Sequence, residues 1–296
     1  MQTVQLPRRS FLLGTASACT SACGLFDVPT TGPSANVQQE IARVEGRIGG
    51  RVGVYAAAFG EASAVEYRAD ERFALCSTFK WVLVAQVLWH VDRGALRLDQ
   101  RLPLASADLL EYAPVTRAHV ADGSMTLEAL SQAAIVQSDN TAGNLLLKLV
   151  GGPEKFTDFV RSLGDSTTRL DRFEPALNSN EEGDARDSTS PRAMVGLLHA
   201  LLFGDALTAA SGARLLGWMN ACETGKARIR AAFPPSWVVG DKTGTGEHGA
   251  CNDVAVARPP RRASILMAIY TSGGPAPLAD KEAAIAEAAR LATRPL

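Results

Sequence analysis

A chain of 296 residues with 46% hydrophobic and 21% charged side chains can bury a large core, and that composition excludes a disordered, fibrous or polytopic membrane protein. Thirty basic residues against thirty-one acidic ones leave a net charge of -1. No global field recruits nucleic acid or anionic lipid, and a small neutral or anionic ligand fits better.

In chain order, Arg8 and Arg9 are followed by Ser10, Phe11, Leu12 and Leu13 and then by the small residues Ala16, Ser17 and Ala18. This stretch resembles a twin-arginine export signal, a removed segment and not a fold element. Gly14 breaks its apolar run well short of the roughly 18 residues that span a bilayer. Cys19 and Cys23 each follow small residues in the manner of a lipid-attachment site, but neither has a leucine three positions upstream. Secreted, periplasmic and lipid-anchored forms therefore all stay open. Residues 24–36, with Pro29, Gly32, Pro33 and Ser34, read as a linker, so residues 1–35 are assigned to signal and linker. Past them only Cys76, Cys222 and Cys251 remain, enough for at most one disulfide and with no spacing to identify it.

The folded body is expected to open with a helix from Val37 to Ile48, followed by a hairpin of strands, Arg51–Phe59 and Ala62–Tyr67, around Gly60 and Glu61. Helical spacing then dominates, over Ser77–Val91, Thr126–Val136, Thr141–Val150, Glu154–Leu163 and Pro191–Leu202. Strand-like runs return at Trp237–Val239, Asp253–Ala257 and Ser264–Thr271, and a helix is expected from Asp280 to Thr293. Strands at both ends with helices between predict an α+β fold: an antiparallel sheet flanked by terminal helices (residues 36–72 and 222–296) and an inserted all-α domain (residues 73–221). The cleft between them is the expected site.

Ser77-Thr78-Phe79-Lys80 heads an apolar helix, and a spacing of three puts hydroxyl and amine on one face. A lysine whose pKa is lowered by burial can take the serine proton, and the helix N-terminus favours a developing oxyanion. Taken alone, the tetrapeptide is more simply an N-cap serine with a snorkelling lysine. Ser138-Asp139-Asn140 lies between helices, where it caps the next one or, functionally, passes a proton to a leaving nitrogen through Ser138 and holds a carbonyl through Asn140. Lys242-Thr243-Gly244 falls at a strand end. There Gly244 would let a substrate lie against the backbone, Lys242 would supply charge, and Thr243 and Thr245 would bind a carboxylate.

The order Ser-x-x-Lys, Ser-Asp-Asn, Lys-Thr-Gly is that of class A β-lactamases and penicillin-binding proteins. From about Val37 to the C-terminus the chain resembles this superfamily, and most of all actinobacterial class A β-lactamases. Arg169-Leu170-Asp171-Arg172-Phe173-Glu174-Pro175-Ala176-Leu177-Asn178, continuing to Asp187, resembles the omega loop of class A enzymes. Glu174 and Asn178, four apart, could hold one water between carboxylate and amide. The resemblance implies a cis Glu174-Pro175 bond, an Arg172–Asp187 clamp, and an oxyanion hole from the backbone N–H groups of Ser77 and Thr245. Arg228 matches a position that reaches the substrate carboxylate in some class A enzymes, since the alternative position is Cys251 here. Arg230 reads as a structural ion pair, Tyr112 is a candidate for the cleft mouth, and Cys76 is assigned to packing. His90, His119, His199 and His248 form no ligand cluster in sequence, so neither metal nor cofactor is expected.

The implied activity is hydrolysis of a small-molecule β-lactam through a Ser77 acyl-enzyme, with Lys80 or Glu174 as acylation base and a monomer as the working form. A peptidoglycan transpeptidase or a penicillin sensor shares the three motifs but lacks a poised base such as Glu174.

Overall fold

The computed structural model describes residues 33–296. The export-signal reading and the two candidate lipid-attachment cysteines, Cys19 and Cys23, lie outside the described residues. Helix α1 spans Pro33–Ile48, so it begins inside the expected linker. Proline has no N–H to lose in a first turn, and its fixed φ suits a helix start.

Strands β1 (Arg51–Ala58) and β2 (Ala64–Tyr67) form the expected hairpin. The chain then makes a short strand, β3 (Phe73–Ala74), and a tight turn, Cys76–Thr78, that leads into α2 (Phe79–Asp92). Every residue of α2 from Phe79 to Leu88 is buried, so this helix has no polar face in its first ten residues and runs through the protein centre. Around it lie β4 (Arg101–Pro103), β5 (Ser124–Thr126), α3 (Leu127–Val136), α4 (Asn140–Leu149), α5 (Gly152–Ser162), β6 (Ser188–Thr189), α6 (Pro191–Leu202) and α7 (Ala209–Asn220). Strands β7 (Val238–Thr245), β8 (Cys251–Arg258) and β9 (Ile265–Ser272) precede α8 (Leu278–Ala292).

The sheet is antiparallel with the order β2-β1-β9-β8-β7. The two ends of the chain therefore share one sheet, as expected for this α+β class. Period-2 alternation sorts its side chains onto two apolar cores. Val54, Ala255, Met267 and Ile269 pack on the outer side with Ile41 and Val44 of α1 and Ile285 and Ala288 of α8. Val254, Val256, Leu266, Ala268 and Tyr270 join the inner core of α2 to α7. Each aliphatic side chain so buried contributes roughly 1.5–3 kcal/mol, which lets the structure carry several buried charges at its centre.

Helix α7 has no counterpart among the expected elements. Its start, Ala209-Ala210-Ser211-Gly212, carries no apolar periodicity. Its N-cap is Thr208, whose side chain accepts from Ser211 N–H, and Asp92, at the end of α2, holds that cap in place, accepting from Thr208 N and Oγ1 at 2.9 Å and from Ser211 Oγ at 2.6 Å. Strands β3 and β6 pair with each other, as do β4 and β5, and at two or three residues they are too short to show a period.

Candidate active site

The turn before α2 carries the nucleophile candidate. Cys76 sits at φ 44° and Ser138 at φ 60°, conformations that cost a non-glycine residue roughly 1–3 kcal/mol and are retained where geometry matters. They flank the site on two sides. Ser77 Oγ accepts from Lys80 Nζ at 2.9 Å and donates to Glu174 Oε1 at 3.2 Å. The sequence reading placed a water between the Glu174 carboxylate and the Asn178 amide; in the structure the carboxylate touches both the Ser77 hydroxyl and that amide directly.

Lys80 is fully buried. Its Nζ meets Ser138 O at 2.8 Å, Asn140 Oδ1 at 2.5 Å and Glu174 Oε1 at 3.0 Å in addition to Ser77 Oγ. Three of these oxygens, on Ser138, Asn140 and Glu174, can only accept, and they match the three hydrogens of an ammonium; release of one of those protons would free the nitrogen lone pair for the serine proton. Burial pushes the Lys80 ammonium down, against the opposing pull of Glu174. The stem fits because α4 carries Gly143, where a Cβ would come within 3.0 Å of Lys80 Cε.

Glu174 belongs to the omega loop, and its peptide bond to Pro175 is cis. Asn178 Nδ2 donates to Glu174 Oε2 at 2.5 Å, while Asn178 Oδ1 is buried without a protein partner. That oxygen is an acceptor available to a water beside the carboxylate. Asn144 holds the Glu174 backbone from both sides, accepting from its N–H at 3.0 Å and donating to its C=O at 2.9 Å. Sequence reasoning missed Asn144; its signal is a position four after Asn140, on the same face of α4. The loop's other end is tied by Asp187, which accepts from Arg172 Nε at 2.5 Å and from the N–H groups of Asp171 and Arg172 at 2.7 and 2.9 Å.

Ser138 Oγ accepts from Lys242 Nζ at 2.9 Å. Lys242 is fully buried, and desolvation pushes it down to about 7. Asp139 is structural, capping α4 at Ala142 N and accepting from Val115 and Thr116 N–H groups. Gly244 lines the cleft, and its lack of a Cβ also has a packing reason: a Cβ there would come within 2.9 Å of Leu75 O and 3.1 Å of Cys76 Cβ and Thr78 Cγ2. The glycine lets β7 close onto the nucleophile turn.

Arg228 is buried and largely committed within the protein. It donates to Gly244 O, Asn252 O and Thr245 Oγ1 at 2.9, 2.8 and 2.7 Å, and its Nε lies 3.2 Å from Glu282. One N–H remains of its five. Because Thr245 Oγ1 accepts from Arg228, its own hydrogen is free to donate into the cleft. Arg228 thereby both lines the cleft and aligns the Thr245 hydroxyl. Arg230 pairs with Asp241.

Ser77, Ser138, Asn140, Asn178, Thr243, Gly244, Thr245, Arg228 and Tyr112 line one cleft of ≈ 340 Å³ together with Thr224, which sequence reasoning missed. Thr224 Oγ1 lies 2.5 Å from Thr243 Oγ1. Tyr112 stands half exposed at the mouth, with its hydroxyl donating to Gln137 O at 3.2 Å. A larger cavity, ≈ 1020 Å³, lies behind the omega loop and does not include Ser77. Cys76, Cys222 and Cys251 are free and buried, and burial raises the Cys76 thiol above its ordinary range. Among the described residues, Glu181, Glu247 and His248 bring ligand-type atoms within 4.8 Å of one another, and all three are exposed.

A profile described as the Beta-lactamase enzyme family matches residues 36–296. The chain is 43% identical to β-lactamase CTX-M-25 of Escherichia coli, across 97% of each sequence. It is 44% identical to β-lactamase AST-1 of Nocardia asteroides, across 96% of this chain and 94% of that one. Its fold matches the solved structure of an ancestral class A β-lactamase with a TM-score of 0.86 and 48% identity, covering 88% of this chain and all of the other. Profile, sequence and fold agree with the motif order and with the geometry around Ser77, and the chain belongs to the β-lactamase enzyme family, class A.

Proposed function

We propose that this chain hydrolyses the lactam amide of penicillin- and cephalosporin-type antibiotics through a Ser77 acyl-enzyme and so confers resistance to them. The observation that carries this reading is the direct contact of Ser77 Oγ with both Lys80 Nζ, at 2.9 Å, and Glu174 Oε1, at 3.2 Å. Ser77 Oγ attacks the lactam carbonyl, and its proton passes to Glu174 or to Lys80, both within reach. Backbone N–H groups of Ser77 and Thr245 take the oxyanion. The C–N bond then breaks, and Ser138, polarised by Lys242 at 2.9 Å, protonates the leaving nitrogen; the proton taken from Ser77 is relayed back to Ser138, which leaves Glu174 ionised again. Glu174 removes a proton from a water held against Asn178, the hydroxide attacks the ester, and Ser77 recovers its proton as the opened acid leaves. Lys242, Thr243 and Thr245 bind the substrate carboxylate, Thr245 with its hydroxyl aligned by Arg228, and Tyr112 closes the mouth.

A penicillin sensor or transpeptidase fits this site less well, because neither needs a carboxylate touching the nucleophile. The same proposal has the chain exported folded by the twin-arginine route, secreted, periplasmic or lipid-anchored at Cys19 or Cys23, and working as a monomer. Folded export is consistent with three buried thiols left free, and no helix among the described residues is long and apolar enough to cross a membrane. The test is steady-state hydrolysis of benzylpenicillin: the enzyme should turn it over, and Ser77→Ala should lower kcat by roughly a million-fold, as loss of a serine nucleophile does in other hydrolases. Undiminished turnover by Ser77→Ala contradicts the assignment.

A further inference from the structure

Glu174 and Asn178 carry the deacylation step, yet the residues that hold their loop from outside have no role in it so far. Past Asn178 the omega loop runs against the turn between β7 and β8, and contacts cross that seam in both directions. Asn178 O accepts from Glu247 N–H at 2.9 Å. Asn180 Nδ2 donates to His248 O at 2.9 Å and to Glu247 O at 3.2 Å, and lies 3.3 Å from Ser272 Oγ. In return, His248 Nδ1 lies 2.8 Å from Ser179 O. A carbonyl oxygen can only accept, so this contact requires a proton on Nδ1. Asn180 and His248 both hold left-handed backbone, φ 45° and 46°, which asparagine and histidine adopt more readily than most residues.

We propose that Asn180 and His248 are positioning residues for deacylation: their reciprocal grip across the seam holds Asn178, and through it Glu174 and the attacking water, at the acyl carbonyl. The proposal rests on the hydrolase reading above. The charged groups facing His248 are Glu181 from the omega loop and Glu247 from its own turn. The third element at the seam, the end of β9, presents Ser272 and Gly273, neither of which titrates. The Ser179 carbonyl, and then the two carboxylates, raise His248 above its ordinary value. A protonated ring always carries hydrogen on Nδ1, whereas a neutral ring divides its single proton between two nitrogens. The grip is therefore firmest below the His248 titration and slackens as pH rises through it.

The experiment measures kcat, KM and the acyl-enzyme fraction with benzylpenicillin for the wild type, His248→Gly, Asn180→Gly and His248→Asn. Glycine accepts the positive φ, so each deletion removes side-chain contacts without adding backbone strain. Asparagine at 248 offers an amide N–H near the Nδ1 position and does not titrate. Both glycine variants should lose roughly fivefold to tenfold in kcat and in KM together, the kinetic equivalent of one hydrogen bond, and accumulate acyl-enzyme with kcat/KM unchanged. His248→Asn should keep wild-type deacylation and lose the fall in rate that follows His248 deprotonation. Glycine variants that deacylate like the wild type, or that lose kcat/KM as fully as kcat, overturn the proposal. A wild type that never releases benzylpenicillin product contradicts the hydrolase reading itself, and that result appears before any variant is compared.

Discussion

The centre of the site is a proton relay built from groups whose charge is costly where they sit. Lys80 and Lys242 are fully buried, and burial lowers both, so each is nearer to proton exchange at neutral pH than an exposed lysine. With its pKa depressed to about 7, Lys242 is charged below that pH and neutral above it. KM for the anionic substrate benzylpenicillin should therefore climb as pH rises through 7, toward roughly tenfold per pH unit, while Lys242→Arg, which keeps its charge, should flatten that limb. A pH-independent KM in the wild type would remove Lys242 from carboxylate binding. Residue identities at the reaction centre were legible in sequence because proton transfer admits few side chains at few spacings. Asn144 and Thr224 were not, since their roles lie in a contact with another segment: Asn144 grips the Glu174 backbone and Thr224 meets Thr243.

Among the elements, β7 and the omega loop determine how closely the relay assembles. Strand β7 approaches the nucleophile turn only because position 244 has no Cβ. In Gly244→Ala the new methyl faces backbone at Leu75 O and the root of Cys76, not a flexible tip, so the strand must move. A shift near 1 Å at a reacting group costs roughly 10²-fold, and kcat/KM should fall by that order while circular dichroism stays native. Retained activity would mean that the strand has slack. The omega loop depends on Asp187, whose carboxylate takes the Arg172 side chain and two backbone N–H groups. Asp187→Asn removes the charge and one acceptor, and should speed proteolysis within 171–186 and slow deacylation more than acylation, as partitioned by burst kinetics. Helices with a clear apolar stripe could be read to within two or three residues, as with Pro191–Leu202. Helix α7 could not, because its first turn lacks apolar periodicity and the Asp92 carboxylate that steadies its Thr208 cap lies more than a hundred residues earlier.

At the scale of the whole molecule, two apolar cores on opposite faces of one sheet separate stability from chemistry. Ile269 is fully buried in the outer core with α1 and α8, while Ser77 sits at the inner one. Ile269→Ala should cost about 2–5 kcal/mol and lower Tm by roughly 2–4 °C for each of them, with kcat/KM at 25 °C unchanged. That both chain ends share a sheet could be read from strands flanking helices; the order β2-β1-β9-β8-β7 could not, because pairing joins segments some two hundred residues apart. The two cores together bring a mid-chain carboxylate to a serine ninety-seven positions earlier in sequence, and the catalytic account rests on that contact. Its most direct test is intact-mass measurement during reaction with benzylpenicillin, comparing the wild type with Glu174→Gln. The account predicts free enzyme and hydrolysed product from the wild type, and from Glu174→Gln a long-lived adduct on Ser77 with deacylation slowed by roughly 10²–10⁴-fold. Equal deacylation by the two proteins would contradict it.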